Sequence, residues 1–289
     1  MSFASVATGS AGDAAADGVR EVLALHGFGC APADFAPLRA RLPAAWKWRV
    51  PEINATWSAP PLPPPEPTAP PPVVIGYSLG GRLALHLAAQ SAAGAGATTG
   101  GQCPRMALVL ISATPGIADA AERARRREND RRLADEIETA DTAAFLEKWW
   151  RNPLFAGLAK NLAPAEFAAL RERRLRNEPS QLAATLRALG VGEMRPLWDA
   201  LPALRAPVLC VAGERDGKYC DIARRMAALL PDARAVIIPG AWHCPHLEVP
   251  DATAGAILEF VRDAAGAAAA ATAVTPPPVV AARRADVRR

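Results

Sequence analysis

Short, almost uninterrupted apolar runs alternate with longer amphipathic stretches along much of the chain. The runs are Glu21–Leu25, Val73–Gly76, Ala107–Ser112, Val208–Ala212 and Ala235–Ile238. Runs of this length and continuity suit strands buried on both faces, as in a parallel sheet. Trp46–Ile53 reads as a further strand. Asp34–Leu42, Arg82–Ala93, Ile222–Leu230 and Ala252–Asp263 read as the helices between them, and Gly94–Gly101 as a loop. Alternation of this kind predicts an α/β domain with a mostly parallel sheet.

The pattern breaks from Pro115 to Leu189. This segment is long, charged and helical, and it carries the aromatics Phe145, Trp149, Trp150 and Phe155. It reads as a helical lid inserted into the α/β unit. The expected organisation is a disordered lead at 1–20, a first part of the core at 21–112, the lid at 113–190, a second part of the core at 191–263 and a low-complexity tail at 264–289. Within the first part, 59–72 is mostly proline, which removes backbone donors and fixes φ, so it reads as a linker.

Composition narrows the possibilities. At 51% hydrophobic and 21% charged residues, the chain is too apolar to be wholly disordered. No stretch approaches the ~18 to 20 apolar residues of a membrane span. The net charge is only +4, and no basic stripe is interleaved with aromatics, which argues against nucleic acid as the partner. The five cysteines, Cys30, Cys103, Cys210, Cys220 and Cys244, form no CxxC pair, so neither a disulfide framework nor a zinc site is expected. A reducing compartment fits, and a bacterial cytoplasm or a plastid would satisfy it. The Ser/Ala-rich start has no secretory pattern, and Asp13 and Asp17 precede its first arginine, against transit-peptide habit. There is no GxGxxG, no P-loop and no metal-spaced ligand cluster, so no cofactor or metal is expected. Nothing in the sequence fixes the oligomeric state.

The strongest chemical signal is Gly76-Tyr77-Ser78-Leu79-Gly80, placed after a strand and before a helix. That context is what a nucleophile elbow requires, with small residues where neighbouring chain passes closely. An acid and a base should follow in that order. Gly213-Glu214-Arg215-Asp216 lies just past one strand, and Trp242-His243 follows the next. Ser78, His243 and Asp216 thus form a candidate triad: the imidazole takes the hydroxyl proton and the carboxylate fixes its tautomer. Glu214 is a rival acid and His246 a rival base. His86 reads as a packing residue. His26 reads as a holder of the glycine loop that follows it, where the amide of Phe28, with that of Leu79, would form an oxyanion hole.

Leu25-His26-Gly27-Phe28, Gly76–Arg82, Pro115-Gly116, Trp149 before Asn152-Pro153-Leu154-Phe155, and Gly213–Lys218 together follow one pattern. From about residue 21 to 262 the chain resembles the α/β-hydrolase superfamily and, within it, the 2-succinyl-6-hydroxy-2,4-cyclohexadiene-1-carboxylate synthases of the menaquinone and phylloquinone pathway. The resemblance implies an α/β-hydrolase fold with a lid and a triad used for elimination. An α-proton would be removed from a succinyl-cyclohexene substrate and pyruvate expelled. Three substrate carboxylates call for arginines. Arg82 matches the family's substrate-binding arginine, Arg126 its match in the lid, and a third falls at Arg173 or Arg174. Trp149 matches a pocket aromatic, and Tyr77 stands beside the nucleophile as a further substrate contact. The family's helical segment before the nucleophile strand is replaced here by the proline-rich stretch. Trp242 replaces a small residue and is expected to crowd the base.

Two rival readings remain open from sequence. One is a hydrolase, acting on an ester or a carbon–carbon bond, with the same triad. The other is a non-catalytic α/β-hydrolase-like binding module.

Overall fold

The computed structural model describes residues 19–58, 70–98, 106–139 and 142–273. Most of the expected lead (1–20) and proline-rich linker (59–72), and the far part of the expected tail (264–289), lie outside the described residues. Among the described residues, no helix is long and apolar enough to cross a membrane.

Six strands form one sheet: β1 (Glu21–Leu25), β2 (Lys47–Arg49), β3 (Val73–Tyr77), β4 (Ala107–Ile111), β5 (Val208–Gly213) and β6 (Ala233–Ile238). Their order is β2-β1-β3-β4-β5-β6, and every neighbouring pair is parallel. The apolar runs become the central strands, β3, β4 and β5 being buried at every residue. The run expected at Trp46–Ile53 yields only the three residues of β2, on the sheet edge. Pro51 explains the early end, because it cannot donate to a ladder.

Helix α1 (Ala36–Arg39) follows β1, and α2 (Leu79–Thr98) follows β3. Between β4 and β5 come α3 (Ala120–Thr139), α4 (Thr142–Trp150), α5 (Ala156–Asn161), α6 (Pro164–Leu175) and α7 (Pro179–Leu189). Then α8 (Gly217–Leu229) follows β5, and α9 (Pro245–Glu248) and α10 (Pro250–Ala273) follow β6. Two helices run further than the sequence reading allowed. Helix α2 continues through Gly94 to Thr98, and α10 through the start of the expected tail. Both extensions are alanine-rich, and alanine's helix propensity outweighs the roughly 1 kcal/mol each isolated glycine costs.

Strand alternation splits the core into two layers. Val73, Ile75 and Tyr77 face Phe35, Leu38, Ile257 and Phe260 on one side. Val74 faces Leu83, Leu87, Ala223 and Met226 on the other. A third apolar cluster, built from Ile137, Phe145, Leu146, Leu182 and Leu186, holds α3, α4 and α7 together as a separate helical layer.

The chain leaves β1 toward β2 on one side, then crosses back to β3 on the other. Strand order therefore reverses between β1 and β3. In open parallel sheets the crevice at the carboxyl ends of such a pair is where ligands bind.

A buried ion pair ties the helical insertion to the core. Asp34, just after β1, is 1% exposed and takes Arg174 of α6, itself 4% exposed, at 3.0 Å. Arg173 approaches the other carboxylate oxygen at 3.3 Å. Removing one partner of a buried pair leaves the other charge uncompensated. We expect Asp34→Asn to lower unfolding stability by about 3–5 kcal/mol, read as the midpoint in a urea titration. A midpoint equal to wild type would mean that the pair does not anchor the insertion.

Candidate active site

Backbone close approach builds the elbow. A Cβ at Gly76 would sit 2.5 Å from the Gly80 carbonyl oxygen, and one at Gly80 would fall on the Leu25 carbonyl. Only glycine lets α2 press onto the ends of β1 and β3. Between them Ser78 adopts φ +51°, a left-handed conformation rare outside glycine. This sharp turn lifts the Ser78 hydroxyl out of the strand line and starts a helix at once behind it.

The turn brings Ser78 to the base. His243 Nε2 lies 3.3 Å from Ser78 Oγ, and His243 Nδ1 lies 2.6 Å from Asp216 Oδ2. A carboxylate only accepts, so Nδ1 carries the proton and Nε2 is free to receive one. His243 and Asp216 are 3% and 4% exposed. Asp216 is also the N-cap of α8, accepting from the Tyr219 amide, which fixes the carboxylate's direction.

The rivals are placed elsewhere. Glu214 is exposed and accepts from the Gly240 amide at 3.1 Å, shaping the loop before the base. His246 is buried between Tyr77 and Phe35, at ring distances of 4.4 and 5.4 Å. Burial pushes its imidazole down to about 3, so it stays neutral and serves as core. Trp242 does not crowd the base: its ring lies under Lys160 of α5, 4.8 Å away.

The loop after β1 carries the other half of the proposed oxyanion hole. His26, 2% exposed, accepts from the Ile53 amide through Nε2 at 3.1 Å and donates through Nδ1 to the Gly27 carbonyl at 2.9 Å. Both ring nitrogens are thus spent on holding the loop, and burial lowers the pKa of its imidazole. Leu79 opens α2, so its amide N–H has no acceptor within the helix.

Above the triad lies a cavity of about 430 Å³, closed by the helical insertion. Phe28, Ser78, Leu79, Arg82, Arg126, Trp149 and His243 all line it. Arg82 sits one turn into α2. Its guanidinium donates to the Leu189 carbonyl at 2.9 Å and contacts Met194 Sδ at 2.8 Å, with no carboxylate paired to it among the described residues. Burial, with the nearby Arg126 adding to it, lowers the Arg82 pKa to about 10. The guanidinium remains charged at neutral pH, and the carboxylate of Asp130, which lines the same cavity, acts on it without bonding it. Arg126 of α3 is half-exposed and bonds Asp130 Oδ1 at 2.8 Å, while Asp130 Oδ2 is buried without a partner.

Two expected substrate contacts need correcting. Arg174 does not line the cavity, because the buried carboxylate of Asp34 has captured it. Tyr77 does not either. Strand parity turns it with Val73 and Ile75 into the opposite core layer, where its hydroxyl meets Cys244 Sγ at 2.9 Å. Conversely, Lys218, Tyr219 and Phe155 line the cavity and went unassigned in the sequence reading. Tyr219 packs edge-on against His243 at 4.5 Å. Its position three residues after the capping Asp216 was the available signal, since side chains in a first helical turn lie over the cap. Among the described residues, no group of three His, Cys, Asp or Glu is placed to hold a metal.

Comparison with known proteins agrees with this architecture. The model of the Alpha/beta hydrolase family matches residues 9–256. A protein of Bacillus subtilis (strain 168), named provisionally as a 2-succinyl-6-hydroxy-2,4-cyclohexadiene-1-carboxylate synthase, is 36% identical over 65% of this chain. The chain spans 65% of that protein's length, just under two thirds. The synthase of the same name from Klebsiella pneumoniae (strain 342) is 33% identical over 65% of this chain and 67% of its own. The structure of MenH from S. aureus superposes with a TM-score of 0.73 at 25% identity, covering 85% of this chain and 94% of that one. By these matches the chain belongs to the alpha/beta hydrolase family and, within it, to the 2-succinyl-6-hydroxy-2,4-cyclohexadiene-1-carboxylate synthase group of enzymes.

Proposed function

We propose that this enzyme is a lyase of menaquinone or phylloquinone biosynthesis. It would eliminate pyruvate from 5-enolpyruvoyl-6-hydroxy-2-succinylcyclohex-3-ene-1-carboxylate to give 2-succinyl-6-hydroxy-2,4-cyclohexadiene-1-carboxylate. The observation that carries this reading is the half-buried Arg82 guanidinium, which bonds no carboxylate and lines the same cavity as Ser78 and His243. A partly desolvated cation with no bonded carboxylate is stabilised when an anionic ligand arrives. Arg126 and Lys218 add cationic edges, while Phe28, Trp149 and Phe155 supply apolar walls for a carbocyclic ring. A neutral ester would leave the cations uncompensated.

The chemistry then follows from the geometry. His243, acting with Ser78, takes the proton from the ring carbon that bears the succinyl ketone. The charge appears on the ketone oxygen as an enolate, within reach of the Phe28 and Leu79 amides. As the enolate collapses, the ring double bond shifts and the carbon–oxygen bond to the enolpyruvoyl group breaks. The ring becomes a diene, and the leaving group departs as the enolate of pyruvate, which becomes pyruvate on taking up one proton as the imidazolium gives one back. Asp216 stabilises the imidazolium throughout, and no bond from carbon to Ser78 is needed. The aligned Ser–His–Asp contacts weigh against a non-catalytic binding module.

The deciding experiment is incubation with enzymatically generated substrate while pyruvate is monitored. We expect stoichiometric pyruvate, no covalent adduct on Ser78 by mass spectrometry, and slow turnover of p-nitrophenyl esters. Robust ester turnover without pyruvate would move the assignment to a hydrolase.

Two substitutions sharpen the reading. Ser78→Ala should lower the rate of pyruvate release by about 10²- to 10⁴-fold, as loss of a proton-transfer group does; a variant retaining a tenth of the rate would remove Ser78 from the mechanism. Arg126→Ala should raise KM by roughly 10- to 100-fold with a smaller effect on kcat. A charge-assisted contact to a carboxylate remote from the reacting carbon binds ground and transition states alike. Steady-state kinetics equal to wild type would return Arg126 to a solvated helix face.

A further inference from the structure

Glu248 is a buried carboxylate, 5% exposed, that the chemistry above does not use. It lies on α9, five residues after the base. Its two oxygens grip the backbone on either side of that base. Oε2 accepts from the Trp242 amide at 2.5 Å, and Oε1 accepts from the Cys244 amide at 2.9 Å. Only the amide of His243 itself lies between them, and it points instead to the Leu154 carbonyl of the insertion at 3.4 Å.

The insertion reaches Glu248 as well. Asn161, at the end of α5, donates to Glu248 Oε2 at 3.4 Å and to the Gly240 carbonyl at 3.1 Å. Gly157, in the same helix, is shaped around the carboxylate, since a Cβ there would fall on Oε2. Three consecutive amides of the base loop are therefore fixed by one carboxylate and one lid carbonyl.

We propose that Glu248 is a positioning residue for His243, fixing the loop that carries the base and joining that loop to the lid through Gly157 and Asn161. The proposal rests on His243 acting as the base. A carboxylate with backbone donors on both oxygens cannot rotate without losing one of them, so it sets the loop's register as well as its place. Tenths of an ångström matter at the 3.3 Å separation of His243 from Ser78, because proton transfer demands close alignment.

The titratable groups around the imidazole come from several elements. Asp216 precedes α8, Tyr219 lies on α8, Tyr77 ends β3, and His246 and Glu248 belong to α9, with Cys244 beside them. Burial raises the pKa of the Tyr77, Tyr219 and Cys244 side chains and lowers that of His246, so these four stay neutral near pH 7. Asp216 and Glu248 are the two carboxylates beside the base. Burial also raises the pKa of Glu248, against the pull of its two amide donors.

The test uses two variants approached from opposite sides. Glu248→Gln keeps the volume but loses the charge and one acceptor. Gly157→Ala leaves the base loop's sequence intact and pushes a methyl group against the carboxylate from a helix that tolerates alanine. In Glu248→Gln, hydrogen exchange at the Trp242 or Cys244 amide, followed by NMR on free enzyme, should speed up by about 10-fold or more, because a carboxamide keeps one acceptor oxygen where the carboxylate has two. In both variants kcat should fall about 10-fold or more, with KM within about twofold of wild type. Unchanged exchange at both amides in Glu248→Gln, or wild-type kcat in a folded variant, would overturn the proposal. Should Glu248→Gln fail to fold, Gly157→Ala decides it through kcat. If the wild type releases no pyruvate, the lyase reading fails, and the substrate-free amide exchange still decides the role of Glu248.

Discussion

The site depends on how closely α2 approaches the ends of β1 and β3. Gly80 packs against the Leu25 carbonyl and Gly76 against the Gly80 carbonyl, with no room for a side chain at either position. That contact brings the Ser78 turn beside the Phe28 loop in the crevice where strand order reverses. A helix held even one methyl group further out would carry the Leu79 amide away from the loop it must work with. The catalytic geometry is thus a by-product of backbone packing, and the side chains decorate an arrangement already set.

Charge in the cavity is unbalanced in one direction. Arg82 is half-buried and bonds no carboxylate, and Arg126 shares a single oxygen of Asp130. Elsewhere several arginines of the insertion are paired with carboxylates: Arg187 takes Asp135 and Glu138, and Arg131 takes Glu193. The contrast matters more than the number of arginines. Arg131 and Arg187 are each paired with carboxylates outside the cavity, whereas Arg82, facing it, bonds none.

Much of this was legible in the sequence, for identifiable reasons. Strands buried on both faces must be continuously apolar, so β3, β4 and β5 announce themselves. The elbow is legible because only small residues survive its contacts, and the acid and base lie just past strand ends that the same apolar runs reveal. Arg174 was misread because helical spacing does not say which buried carboxylate will capture an arginine, and Asp34 lies 140 residues away in the chain. Tyr77 was misread although strand parity was available: it shares a face with Val73 and Ile75, and that face is core. Glu248 carried no motif signal in the sequence reading, because its partners are backbone amides, which leave no mark on residue identity.

The left-handed backbone at Ser78 restricts which side chains this scaffold could carry there. At φ +51° a residue branched at Cβ meets its own carbonyl, whereas an unbranched one is tolerated. Threonine has the same hydroxyl as serine, yet it is barred from the position by backbone geometry alone. Cysteine, chemically more distant, fits. Any evolutionary or engineered exchange at this position is therefore confined to side chains unbranched at Cβ, a thiol or a carboxylate among them, and the choice is made by a torsion angle before reactivity enters.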